Sequence, residues 1–243
     1  MPAPADPVGF SGDLVELATR ARSGEEWRNA PFREAAAALQ SVQPGDIASD
    51  AGRMAFWINV YNALVIDAVR SLEVQTSIRE HNGFFHRAAY DIGGLVYTLD
   101  QVENGLLLGN RPLHRRLPPP FEDGDPRLQA APGRVDPRVH FALNCATRSC
   151  PLIKPYDADS LAGELDAAAR HFINHGGVQR DESGEGVVLS AIFWFYAVDF
   201  GGPEGVTGWI LPYLHRQALR EALQRGPVRF EDYDWTLPGG AAT

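Results

Sequence analysis

The segment AGRMAFWINVYNALVIDAVRS, residues 51–71, constrains this chain more than any other. Its apolar residues, from Met54 through Trp57, Tyr61 and Leu64 to Val69, recur at spacings that cover nearly every face of a helix. A helix that is apolar all round is buried all round. The rest of the chain must therefore wrap this segment as a central helix, with Ser49 or Asp50 as its N-cap. Asn59, Asn62 and Asp67 make it too polar to span a membrane. Asn59 and Asn62 fall at i, i+3 near one face. Buried amides need partners, so the pair either anchors loop backbone or lines a pocket.

Around this helix the local signals are ordinary. Residues 12–42 read as two helices, with Ser23 and Glu26 at capping-box spacing and Pro31 breaking or restarting the second. AAYDI and LVY flank Gly93-Gly94, a hairpin signal. Thr98 and Gln101 form a second capping box, opening a short helix that stops near Gly109. Residues 110–137, rich in Pro, Arg, Gly and Asp, read as a long surface loop with no core pattern, a lid or mobile insertion. A strand is expected over 138–144. An amphipathic helix follows over 159–175, with Leu161, Leu165, Ala168 and Phe172 as its stripe. A hairpin around 177–189, the aromatic helix AIFWFYAVDF, a helix over 206–224 and a closing strand at RFEDYDW complete the chain. Without a repeat or a domain-splitting linker, this order predicts one α+β domain over 1–243. Its central helix packs on a small mixed or antiparallel sheet.

The formal net charge of −9 disfavours nucleic acid or an anionic membrane as partner. The first residues lack the basic start and apolar run of a secretory signal. The expectation is a cytoplasmic protein with no nucleic-acid or membrane partner, whose two cysteines are reduced thiols. The remaining partner is an unknown small molecule or peptide.

Both cysteines fall in RVHFALNCATRSCP, residues 138–151. Read as a strand, the segment puts His140, Ala142 and Asn144 on one face and Phe141, Leu143 and Cys145 on the other. Cys145 is then a buried, inert thiol. Cys150 lies past the strand end, in a turn rich in backbone N–H groups and near Arg148, which makes it the better nucleophile. Glu103 projects beside the stripe of Leu99, Val102, Leu106 and Leu107, either snorkelling or placed for a task. His171 and His175 have the i, i+4 spacing of zinc ligands, but HFINH lacks the Glu that a metalloprotease helix needs. No metal and no cofactor are expected.

Four separated segments, FWINVYNALVI, YDIGGLVYTLDQVENGLL, DPRVHFALNCATRSCP and YDWTLP, resemble the domain-of-unknown-function 547 family, over about residues 30 to 238. The family pattern Asn-Cys-(Gly or Ala)-x-x-Ser-Cys-Pro-Pro matches at Asn144, Cys145, Ala146, Ser149, Cys150 and Pro151, with Leu152 in place of the second Pro. Trp-x-Asn-x-Tyr-Asn matches at Trp57, Asn59, Tyr61 and Asn62. Ile-Glu-His becomes Val102-Glu103-Asn104, and the terminal Tyr-Asp-Trp-Ser-Leu-Asn becomes YDWTLP. The resemblance implies an identity rather than an activity.

Two functions fit these residues. One is a cysteine-dependent hydrolase or acyl transferase with papain- or transglutaminase-like logic: Cys150 or Cys145 attacks a carbonyl, His140 takes the proton, Glu103 or Asn144 orients His140, and turn N–H groups hold the oxyanion. The other is a binding or interaction module for a ligand or peptide, with no covalent step.

Overall fold

The computed structural model describes residues 3–22, 30–112 and 116–238. The expected capping box at Ser23 and Glu26 lies outside the described residues. The elements, in chain order, begin with α1 (Pro7–Arg22), α2 (Ala30–Ala38), α3 (Asp50–Ser71) and α4 (Phe84–Arg87). The hairpin β1 (Ala89–Ile92) and β2 (Leu95–Thr98) follows, then a wide π-helical turn at Gln101–Leu107 and a 3-10 turn at Pro137–Phe141. The second half holds α5 (Leu161–Phe172), β3 (Val178–Arg180), β4 (Val187–Leu189), α6 (Ile192–Phe195), α7 (Val206–Ile210), α8 (Gln217–Arg225) and β5 (Val228–Phe230). The fold is α+β, as the order of elements predicts.

The central helix is α3. Ser49 caps it, its side chain accepting from Gly52 N, and residues from Met54 to Ile66 are buried without a break. It packs on the β1–β2 hairpin through Trp57 and Tyr97, whose rings lie 5.1 Å apart. Gly93 and Gly94 turn the hairpin with φ of 65° and 80°, the left-handed pair that a two-residue turn of matching twist requires. A Cβ on Gly93 would also stand 2.5 Å from Val42 O. The capping box at Thr98 and Gln101 forms, with reciprocal bonds of 3.0 and 3.1 Å.

A second cluster gathers Phe141, Phe193 and Phe200 with the apolar face of α5, α8 and the sheet β3–β4–β5, in which β4 pairs antiparallel with β3 and parallel with β5. The expected helix over 206–224 is two helices, α7 and α8, divided around Pro212, where a proline cannot continue the ladder.

Two further expectations change. The 110–137 segment feeds the core: Phe121 and Ala130 are buried, and Arg127 stacks over Phe121 at 4.4 Å while donating to Val96 O. Gly105 admits the Phe121 ring, since a Cβ there would come within 2.3 Å of it. The other change is at 138–144, which is not a strand. Asp136 caps a 3-10 turn by accepting from Arg138 N, with Pro137 at its first position, a helix-start pattern that competes with strand pairing. Among the described residues, no helix is long and apolar enough to cross a membrane.

Candidate active site

A cavity of about 730 Å³ opens between α3, α4, the π-helical turn and the C-terminal tail; Cys145, Cys150, His140 and Glu103 all line it. None of the described residues of 110–137 does. The loop that carries the cysteines is held from below by amides of the central helix. Asn62 donates to Ala142 O and accepts from Asn144 N, at 2.9 Å each. Asn144 in turn accepts from Ala146 N and donates to Pro151 O, gripping both ends of the loop. Asn59 does the same for Tyr156, at 2.8 Å from both its N and its O. Both central-helix amides therefore anchor loop backbone rather than line the cavity. Ala146 sits at φ 62°, a conformation natural to glycine and strained for alanine.

The 3-10 turn overturns the two-face reading of 140–145. Cys145 is not a core thiol. It is half-buried, lines the cavity and lies 2.7 Å from the Cys150 sulfur. Thr147 and Tyr233 hydroxyls complete the cluster, 3.2 and 3.1 Å from Cys150 Sγ, and Cys145 N donates to the same sulfur at 3.0 Å. Burial works to raise the Cys150 pKa, but hydrogen bonds from the Cys145 thiol, Thr147 and Tyr233 outweigh it and bring the pKa down to about 6. Cys145 moves the opposite way, pushed up as the donor to Cys150 and by burial. One proton is thus kept on Cys145 while Cys150 is readily ionised.

His140 points to a partner the sequence did not single out. Its Nε2 lies 2.8 Å from Asp199 Oδ2, and Arg111 donates to the same oxygen at 2.7 Å. Burial favours protonation of Asp199, but the bonds from His140 and Arg111 prevail and hold its carboxylate below the usual range. An ionised carboxylate only accepts, so Nε2 carries a proton and Nδ1 is the nitrogen that exchanges one. Among the described residues, Nδ1 has no hydrogen-bond partner, and no bond joins His140 to either sulfur. The ring of Tyr196 stacks on the imidazole at 3.8 Å.

Neither Glu103 nor Asn144 orients His140 directly. Glu103, on the π-helical turn, accepts from Tyr61 at 2.7 Å and from Tyr196 at 2.6 Å. Its carboxylate braces the ring that stacks on His140. Burial and the Glu103 charge push both phenols well above their ordinary pKa. Tyr61, Tyr196, Asp199, Thr147 and Tyr233 are the site residues that sequence reasoning missed. A single acid inside the aromatic run FWFYAVDF was the available signal for Asp199.

The tail over 231–238 straps the site. Asp234 N donates to Ser149 Oγ, Arg148 N donates to Thr236 O, and Leu237 N donates to Thr76 O, at 3.0, 2.9 and 2.7 Å. His171 and His175 stack on each other at 4.2 Å outside the cavity lining. Among the described residues, no group of three or more His, Cys, Asp or Glu side chains is arranged to hold a metal ion.

No curated protein and no solved structure matches the chain. The papain and transglutaminase comparison thus rests on residue logic alone. A family model matches residues 46–173, which span the central helix, the hairpin, Glu103, His140 and both cysteines and stop short of Tyr196, Asp199 and Tyr233. That is more than half of the chain, and the protein belongs to the family described as protein of unknown function, DUF547.

Proposed function

We propose that the protein is a cysteine-dependent hydrolase or acyl transferase with Cys150 as nucleophile. The observation that carries this reading is one cavity holding both an easily ionised thiol and an imidazole whose far nitrogen is fixed by Asp199. The Cys150 thiolate attacks an acyl carbon and forms a thioester. His140 Nδ1 takes the proton that Cys150 gives up and returns it to the leaving group, while Asp199 stabilises the imidazolium. Many N–H groups of the turn are already committed: those of Asn144, Ala146, Arg148 and Cys150 bond Asn62, Asn144, Thr236 and Thr147. The donors standing beside the nucleophilic sulfur are Cys145 N–H and the Tyr233 hydroxyl, and these receive the oxyanion. Water or a second nucleophile then releases the acyl group. A cytoplasmic setting, where thiols stay reduced, is part of the same proposal.

The second reading, a binding module for a small molecule or peptide, is favoured by the sulfurs bonding each other and Tyr233 rather than His140. The two separate on treatment with p-nitrophenyl acetate. The enzyme reading expects a burst of nitrophenol and an acetyl group on Cys150, absent in Cys150→Ala. No adduct on a folded wild-type protein leaves the binding module.

A further inference from the structure

We infer that Cys145 and Cys150 form a reversible dithiol–disulfide pair, oxidised by a hydroperoxide that enters the cavity. The inference is independent of acyl chemistry and rests on the geometry of the loop. The sulfurs stand 2.7 Å apart. Closing them to the covalent length of about 2.05 Å takes well under about 1 Å of side-chain travel. The backbone ring that such a bond would complete is already made. Cys150 N donates to Thr147 O at 3.2 Å, Ala146 takes the left-handed turn, and Asn144 clamps both ends through Ala146 N and Pro151 O. Both sulfurs face the cavity, so a small oxidant reaches them without opening the core.

The hydrogen-bond pattern also orders the steps. Cys150 Sγ accepts the Cys145 backbone N–H and stands within hydrogen-bond reach of the Thr147 and Tyr233 hydroxyls, which favours the thiolate there. The Cys150 thiolate therefore attacks the terminal oxygen of the hydroperoxide. The O–O bond breaks, the alkoxide leaves and takes a proton as the alcohol, and Cys150 becomes a sulfenic acid. The Cys145 sulfur then attacks Cys150 sulfur. The S–O bond breaks, and hydroxide leaves with the Cys145 proton as water. In sum, two thiols lose two hydrogens while one hydroperoxide becomes an alcohol and a water. An external dithiol reverses the change by exchange. In the disulfide form Cys150 cannot act as a nucleophile, so the pair would both protect and silence it.

The chain itself supplies a convenient assay, because trypsin cuts after Arg148, between the cysteines. The full-length protein, reduced and desalted, is treated with one equivalent of tert-butyl hydroperoxide. The expected product is lighter by two hydrogens. Its unreduced tryptic digest joins the peptides Val139–Arg148 and Ser149–Arg170, and dithiothreitol restores both thiols to alkylation. Protein purified already in the linked form and opened by dithiothreitol supports the inference equally. Cys145→Ser is expected to stop at the sulfenic acid of Cys150 instead, captured as a dimedone adduct. Should that variant fail to fold, the wild-type peptide map decides alone. Wild-type protein that gains oxygen at Cys150 with no linked peptides, or that leaves both thiols unchanged, overturns the inference.

Discussion

His140 and Asp199, fifty-nine positions apart in the chain, meet through a 2.8 Å contact between Nε2 and Oδ2. The carboxylate fixes which imidazole nitrogen is free to act as a base. In Asp199→Asn an amide can present N–H to Nε2 and turn the tautomer round. Acylation of Cys150 is expected to slow by about a hundredfold or more, with little change in melting temperature. An unchanged single-turnover rate on an activated ester would remove His140 from the role of base.

The lowered pKa of Cys150 makes alkylation pH-dependent in a particular window. With iodoacetamide, the rate on Cys150 is expected to rise through an inflection near pH 6 and level off above it, since the thiolate is the reactive form. Tyr233→Phe removes a hydroxyl donor and should move the inflection upward. The same shift contributes stability. A thiol whose folded pKa lies below its unfolded value near 9 stabilises the fold fully above pH 9. That contribution declines as pH falls and is gone below about 6. An inflection at the ordinary thiol value would rule the arrangement out.

Asn62→Leu should be costly. It leaves Ala142 O and Asn144 N, both buried, without their partner. The expected loss is about 1–3 kcal/mol, read as a lower urea midpoint at unchanged slope. A midpoint equal to wild type would mean that the cysteine loop is not anchored through this amide.

Ala146 offers a test in the opposite direction. Its φ of 62° suits glycine, so Ala146→Gly should be neutral or stabilising by up to about 1 kcal/mol. Ala146→Val puts a β-branched side chain in a left-handed position and should destabilise by about 1–3 kcal/mol. Equal melting temperatures for all three proteins would contradict the loop geometry.

What the sequence determined by itself were the features set by neighbours a few residues apart. The all-round apolar run of 51–71 could only be a buried helix. Gly93-Gly94 could turn a hairpin at no steric cost, and Thr98 with Gln101 could satisfy each other's backbone. The same holds for the family motif, which is a local string. The pattern at 138–144 failed because alternation presumes an extended chain, and Asp136-Pro137 started a 3-10 turn instead. That turn alone moved Cys145 from the core to the cavity. Partners far apart in the chain were decided only by tertiary structure: Asp199 for His140, Tyr61 and Tyr196 for Glu103, and Tyr233 for the two sulfurs. Their bonds depend on how the second aromatic cluster and the C-terminal strap pack against the central helix. A buried carboxylate or phenol takes whichever partner that packing brings within 3 Å or so, and no local spacing in the chain encodes it.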